Sequence, residues 1–148
     1  MTTPTSPWDQ RLARFLVRPL AKTSVTPNHV TLCSLVAGIV AALLFVRGGR
    51  GAANLGAVCF MLAMFIDHAD GELARMAEKT SRLGHILDYI VGSINYTLLF
   101  IGLGIGVGRE AGGWALAIGL AAGLSNPIVV TLRMAMETRF GAVSVRHP

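Results

Sequence analysis

Asp67, Asp70 and Asp88 stand where carboxylates are costly, at the ends of long apolar stretches. An ionisable side chain within a membrane span costs about 3 kcal/mol even on the milder scales, so its presence calls for a function. Asp67, Asp70, Gly71, Ala74 and Arg75 follow i, i+3, i+4, i+7, i+8 spacing and share one helix face. Gly84 and Asp88, four residues apart on the next apolar run, share a face in the same way. Two antiparallel helices joined by the short charged connection 78–82 would gather the three carboxylates in one place. Their mutual repulsion then requires a cation. Oxygen ligands without Cys or His suit a hard divalent ion, Mg²⁺ or Mn²⁺, better than zinc. Gly71 and Ala74 leave the face bare beside that ion, and Arg75 could hold a phosphate. Metal, room for phosphate and a membrane setting point to phosphoryl-group transfer, in which charge neutralisation and alignment carry most of the catalysis.

The elements that must position these residues are membrane spans. Of 148 residues, 53% are hydrophobic and 14% charged, and the mean hydropathy is +0.58. A soluble domain carries about a quarter charged residues. Apolar runs cover 30–46, 52–66, 83–107 and about 112–132, each long enough with its flanks to cross a bilayer. Thr26-Pro27-Asn28 reads as the start of the first, and Pro127 should kink the last. Ahead of them, Trp8, Leu12, Phe15, Leu16 and Leu20 alternate with Arg11, Arg14 and Arg18, a pattern suited to the headgroup layer. The expected fold is therefore all-α: a single membrane domain over 1–148, with about four transmembrane helices preceded by an amphipathic interfacial helix at 8–20. Residues 135–148 read as a polar tail. The polar stretch 1–7 lacks the apolar core of a cleavable signal and is read as retained.

Charge distribution sets the expected orientation. Arg11, Arg14, Arg18, Lys22, Arg75, Lys79, Arg82, Arg133, Arg139 and Arg146 fall on one side, against Arg47, Arg50 and Arg109 on the other. By the positive-inside rule, ten against three places both termini and the acidic residues on the cytoplasmic face of the cell's inner membrane. The basic residues are dispersed without interleaved aromatics, which excludes nucleic-acid recognition. Cys33 and Cys59 lie within apolar runs at no metal-binding spacing and read as small hydrophobes. Gly102, Gly104, Gly106, Gly108, Gly119 and Gly123 suit close helix approach within a chain or in a dimer.

Residues 67–88 resemble the CDP-alcohol phosphotransferase signature D-x-x-D-G-x-x-A-R-(x8)-G-x-x-x-D-x-x-x-D. The fixed positions Asp67, Asp70, Gly71, Ala74, Arg75, Gly84 and Asp88 agree in type and spacing. Thr26-Pro27-Asn28-His29-Val30-Thr31 is similar to the segment before the family's first span, so the likeness runs from Lys22 to about Gly92. The resemblance implies an enzyme of phospholipid biosynthesis that transfers a phosphoalcohol from a CDP-alcohol such as CDP-diacylglycerol to an acceptor alcohol, releasing CMP. It implies a divalent pair held by Asp67, Asp70 and Asp88. Gly71, Ala74 and Gly84 would lie at the nucleotide, with Arg75 supporting the site or the diphosphate. It also implies a homodimer of six-span subunits.

The sequence departs from the family twice. The signature's last aspartate, the expected general base, falls at Gly92. Asn95, one turn on, cannot take a proton, and Glu72 and His85 read as solvated or connecting residues before they read as substitutes. Four spans is also two fewer than six, as in a truncated relative. Competing readings are a catalytically impaired CDP-lipid-binding or partner subunit, and a small metal-ion transporter. The transporter would need a polar path through the far halves of the spans, where polar side chains are almost lacking.

Overall fold

The computed structural model describes residues 15, 18–19, 26–76 and 82–140. Apart from Phe15, Arg18 and Pro19, the expected interfacial helix at 8–20 lies outside the described residues, as do residues 77–81 and the end of the tail. Four helices follow one another: α1 (Pro27–Arg47), α2 (Arg50–Met76), α3 (Arg82–Ala111) and α4 (Gly113–Phe140). All four are long and apolar enough to cross a membrane, and only 17% to 33% of each most apolar stretch is buried inside the protein. The remaining side chains, such as Leu43, Met61, Ile118 and Val129, face outward as lipid requires.

Each helix end has a local cause. Pro27 opens α1 at a position where its missing N–H is not needed, and the Thr26 N–H donates to His29 Nδ1 at 3.4 Å. Gly48 and Gly49, at φ 74° and 78°, make the tight α1–α2 turn, and Gly112 at φ 100° makes the α3–α4 turn. Arg109 at the end of α3 donates to Val46 O at 2.5 Å and Arg47 O at 3.3 Å. It thereby satisfies carbonyls that the end of α1 leaves open. The last helix is longer than the sequence implies: α4 continues to Phe140 instead of giving way to a polar tail at Ala135. Loss of hydropathy ends the span, but Arg133, Met134, Ala135 and Met136 are good helix formers and carry the helix on.

The helices contact in the order α2, α1, α3, α4. Helix α1 lies along both α2 and α3, α3 lies along α4, and α2 meets α3 at only a few points. The contact faces are built from small residues. On α3 the glycines divide by face: Gly102 and Gly106 meet Ala42 and Phe45 of α1, while Gly104 meets Ala115 and Gly119 of α4. A Cβ on Gly102 would stand 2.8 Å from Ala42 O, and one on Gly119 2.6 Å from Phe100 O. The glycine content is thus used within the chain. Pro127 lacks the N–H that would pair with Gly123 O four residues back, and Thr97 Oγ1 of α3 donates to that carbonyl at 2.9 Å.

These contacts make Gly106→Ala a sharp test of the packing. The new methyl would collide with the Phe45 carbonyl, which belongs to backbone and cannot swing aside. We expect a loss of about 1–3 kcal/mol, read as a lowered thermal unfolding midpoint in detergent. Gly51→Ala, where a Cβ meets nothing within 4 Å, should leave the midpoint unchanged or raise it. Equal behaviour of the two variants would refute the α1–α3 packing.

Candidate active site

The three aspartates converge. Asp67 and Asp70 come from the last turns of α2 and Asp88 from the second turn of α3, and one oxygen from each lies within 4.8 Å of the others. Because α2 and α3 hardly touch, the cluster is not the simple helical hairpin that the short connection implies. It spans the end of α1, which lies between the two helices and brings Thr31 to the carboxylates. Thr31 Oγ1 donates to Asp70 Oδ2 and also lies 3.1 Å from Pro27 O. Asp70 is 3% exposed, and Asp67 Oδ1 is buried with no hydrogen-bond partner.

Among the described residues, no basic side chain forms an ion pair with the cluster. Arg75, the basic residue nearest in sequence on α2, pairs instead with Glu72 Oε1 at 2.7 Å. Three gathered carboxylates and an orphaned buried oxygen match the needs of a hard divalent cation, so the residues present fit such an ion.

Gly71 and Ala74 lie half-buried on the α2 face beside the cluster, and Gly84 lies half-buried one turn before Asp88. The space over Gly71 is open except for Arg75 Nη2, 3.8 Å from where a Cβ would be. The Glu72 pairing holds the guanidinium at the margin of that bare strip. Glu72 itself is 2% exposed, which overturns its reading as a solvated residue. His85 is exposed and stacks edge-on against Tyr89, with ring centroids 4.6 Å apart. His68 is also exposed, and its Nδ1 contacts Met64 O at 2.8 Å.

Gly92 opens onto empty space, with nothing within 4 Å of a Cβ built there. Asn95 does not fill it. Fully buried, it turns toward α1, where Nδ2 approaches Ser34 O at 3.5 Å and the side chain lies against Gly38. Roughly 11 Å deeper along the helices, about two turns, Phe60 of α2 and Tyr96 of α3 meet edge to face at 5.6 Å and bridge the two helices. The carboxylates thus lie at one end of the loosely touching α2–α3 pair, with the Phe60–Tyr96 contact deeper along it.

Sequence reasoning named Thr31 only within the segment before the first span, gave it no role at the carboxylates, and passed over Ser34 and Gly38. The signal available was their i, i+3, i+7 spacing, a small polar stripe on an otherwise apolar helix. The buried polar residues Thr31, Ser34, Asp70, Glu72, Ser93 and Asn95 all lie toward the carboxylate end, whereas the far halves meet through Ala41, Ala42, Phe45 and glycines. Among the described residues that distribution shows no buried polar route for an ion across the bundle.

An all-helical membrane protein with a carboxylate trio at the ends of two spans, joined to a bare glycine–alanine strip, defines the class. The sequence profile of the CDP-alcohol phosphatidyltransferase family matches residues 24–147, and the chain belongs to that family. It is similar to the bifunctional IPC transferase and DIPP synthase of Thermococcus kodakarensis, 35% identical over 75 residues. That match covers 51% of this chain and 16% of the relative. It is also similar to the archaetidylinositol phosphate synthase of Pyrococcus horikoshii, 26% identical over 89 residues, or 60% of this chain and 46% of the relative. The matches span less than half the length of either curated relative.

Proposed function

We propose that the chain transfers a phosphoalcohol from a CDP-alcohol lipid to an acceptor alcohol, with release of CMP. The convergence of Asp67, Asp70 and Asp88 within 4.8 Å carries this reading. Asp67, Asp70 and Asp88 would hold Mg²⁺ or Mn²⁺, which when bound supplies charge neutralisation at the diphosphate. Gly71, Ala74 and Gly84 leave room for the cytidine, and Arg75, kept at the edge of the strip by Glu72, lies within reach of a phosphate. The acceptor hydroxyl attacks the phosphorus bonded to the lipid alcohol. The bond from that phosphorus to the CMP oxygen breaks, and the hydroxyl proton passes to a base. The space between α2 and α3 at the carboxylate end, where the two helices touch at few points, would take the acceptor. The relatives' names favour a phosphorylated inositol as the acceptor to test first. The excess of basic residues at the carboxylate end supports a site facing the cytoplasm, and family likeness supports a homodimer.

A second reading is favoured by one observation, the empty space where the signature's last carboxylate would be: a CDP-lipid-binding subunit without turnover. Purified full-length chain with Mn²⁺ or Mg²⁺ and CDP-diacylglycerol should release CMP when given the right alcohol from a panel that includes inositol phosphate. Metal and CDP-lipid binding without CMP release from any alcohol would select the binding subunit. Absence of both binding and release would sink both readings.

A further inference from the structure

The segment Thr26–Thr31 lies outside the signature, and nothing in the proposed chemistry uses it. Yet it ends in a hydroxyl that reaches the carboxylate cluster. We propose that Thr31 is a positioning residue that holds Asp70 in its metal-ready orientation, an inference that rests on the divalent-metal reading above.

Thr31 is 3% exposed on the stretch of α1 inserted between α2 and α3. Its Oγ1 has two acceptors in range, Asp70 Oδ2 and Pro27 O. A hydroxyl has one proton to give, and a charge-assisted bond to a carboxylate is roughly twice as strong as a neutral one. The proton therefore goes to Asp70, and the Pro27 carbonyl keeps its helical partner. One of the several lone-pair sites of the carboxylate is then fixed, which sets its rotamer and leaves the others for a cation. Without that donor, repulsion among three carboxylates would turn Asp70 away from Asp67 and Asp88. The bond also fixes Asp70 of α2 to α1, the helix that lies along both α2 and α3. With α2 and α3 touching at few points, α1 is the element that can hold the register between Asp70 and Asp88.

Partners that orient a metal ligand typically contribute 10–100-fold in metal affinity. The test is Mn²⁺ binding by the full-length chain in detergent, measured by calorimetry or by the free-ion paramagnetic resonance signal. Thr31→Val keeps the volume and removes the hydroxyl, and it should weaken Mn²⁺ binding by about 10–100-fold. Thr31→Ser, which keeps the donor, should bind as the wild type does. Thr31→Ala repeats the deletion at smaller volume should the valine variant not fold. A purely structural role predicts a lowered unfolding midpoint without metal and an unchanged Mn²⁺ affinity, and that result would overturn the proposal. Asp70→Asn separates the two levels of inference. If the wild type binds no Mn²⁺, or Asp70→Asn binds it equally well, the metal reading fails and the role of Thr31 fails with it. If Asp70→Asn loses Mn²⁺ and Thr31→Val does not, only the role of Thr31 is lost.

Discussion

Asp70→Asn is expected to reduce CMP release by roughly 10³-fold or more, with little change in folding. A bound divalent cation contributes several kcal/mol of charge stabilisation at a transferring phosphoryl group, and each 1.36 kcal/mol is tenfold in rate. Asparagine has the volume of aspartate, and its carbonyl can still accept the Thr31 proton, so the α1–α2 contact survives. What disappears is one negative charge from a trio whose oxygens lie within 4.8 Å. Removing that charge also relieves repulsion, so the unfolding midpoint should hold or rise while activity collapses. Initial rates of CMP release at saturating CDP-lipid and a range of Mn²⁺ concentrations give the readout. Should Asp70→Asn retain the wild-type rate at limiting Mn²⁺, the carboxylates would have no part in catalysis.

Much of this site could be anticipated because the information is local. Apolar runs of the right length reveal spans, and 3.6-residue spacing places Asp67, Asp70, Gly71 and Ala74 on one face whatever the tertiary arrangement. The contribution of α1 could not be anticipated, because Thr31 and Asp70 are 39 residues apart and nothing in either segment specifies their pairing. Glu72 was misjudged for a related reason. A glutamate at a helix end ordinarily reads as solvated, and only the folded chain shows it buried and bound to Arg75. The glycines were legible as packing residues but not as two sets. An alternating Gly102, Gly104, Gly106 series directs successive members to α1 and to α4 only once both neighbours are in place. The end of α4 was lost because hydropathy marks where a span stops, not where a helix does. There Arg133 lies 5.9 Å over the Tyr89 ring of α3, a contact that favours continued helix beyond the apolar stretch.

Gly92→Asp should raise turnover by about 10²–10⁴-fold, the usual contribution of a positioned general base. The backbone position is ready for it. Gly92 lies in regular helix one turn after Asp88, and a Cβ there meets nothing within 4 Å, so the side chain enters without displacing a neighbour. Without metal the variant should be less stable, since it adds a carboxylate to a span beside three others, and Mn²⁺ should offset that loss. Two controls separate proton transfer from the other consequences of the substitution. Gly92→Asn adds nearly the same shape with no basic oxygen, and Gly92→Ala removes only the glycine's backbone freedom. If the aspartate acts as a base, it alone raises the rate at saturating Mn²⁺. If it acts by tightening metal binding, its advantage vanishes once Mn²⁺ saturates. Equal rates for Gly92→Asp and wild type at saturation would mean that the hydroxyl proton already has an acceptor. The chain's own carboxylates and the phosphate of a phosphorylated acceptor alcohol would then be the groups to separate, by comparing acceptors with and without that phosphate. The empty flank beside Gly92 would in that case be room for the acceptor itself, and filling it with a carboxylate should raise the KM for that acceptor while leaving the KM for the CDP-lipid unchanged.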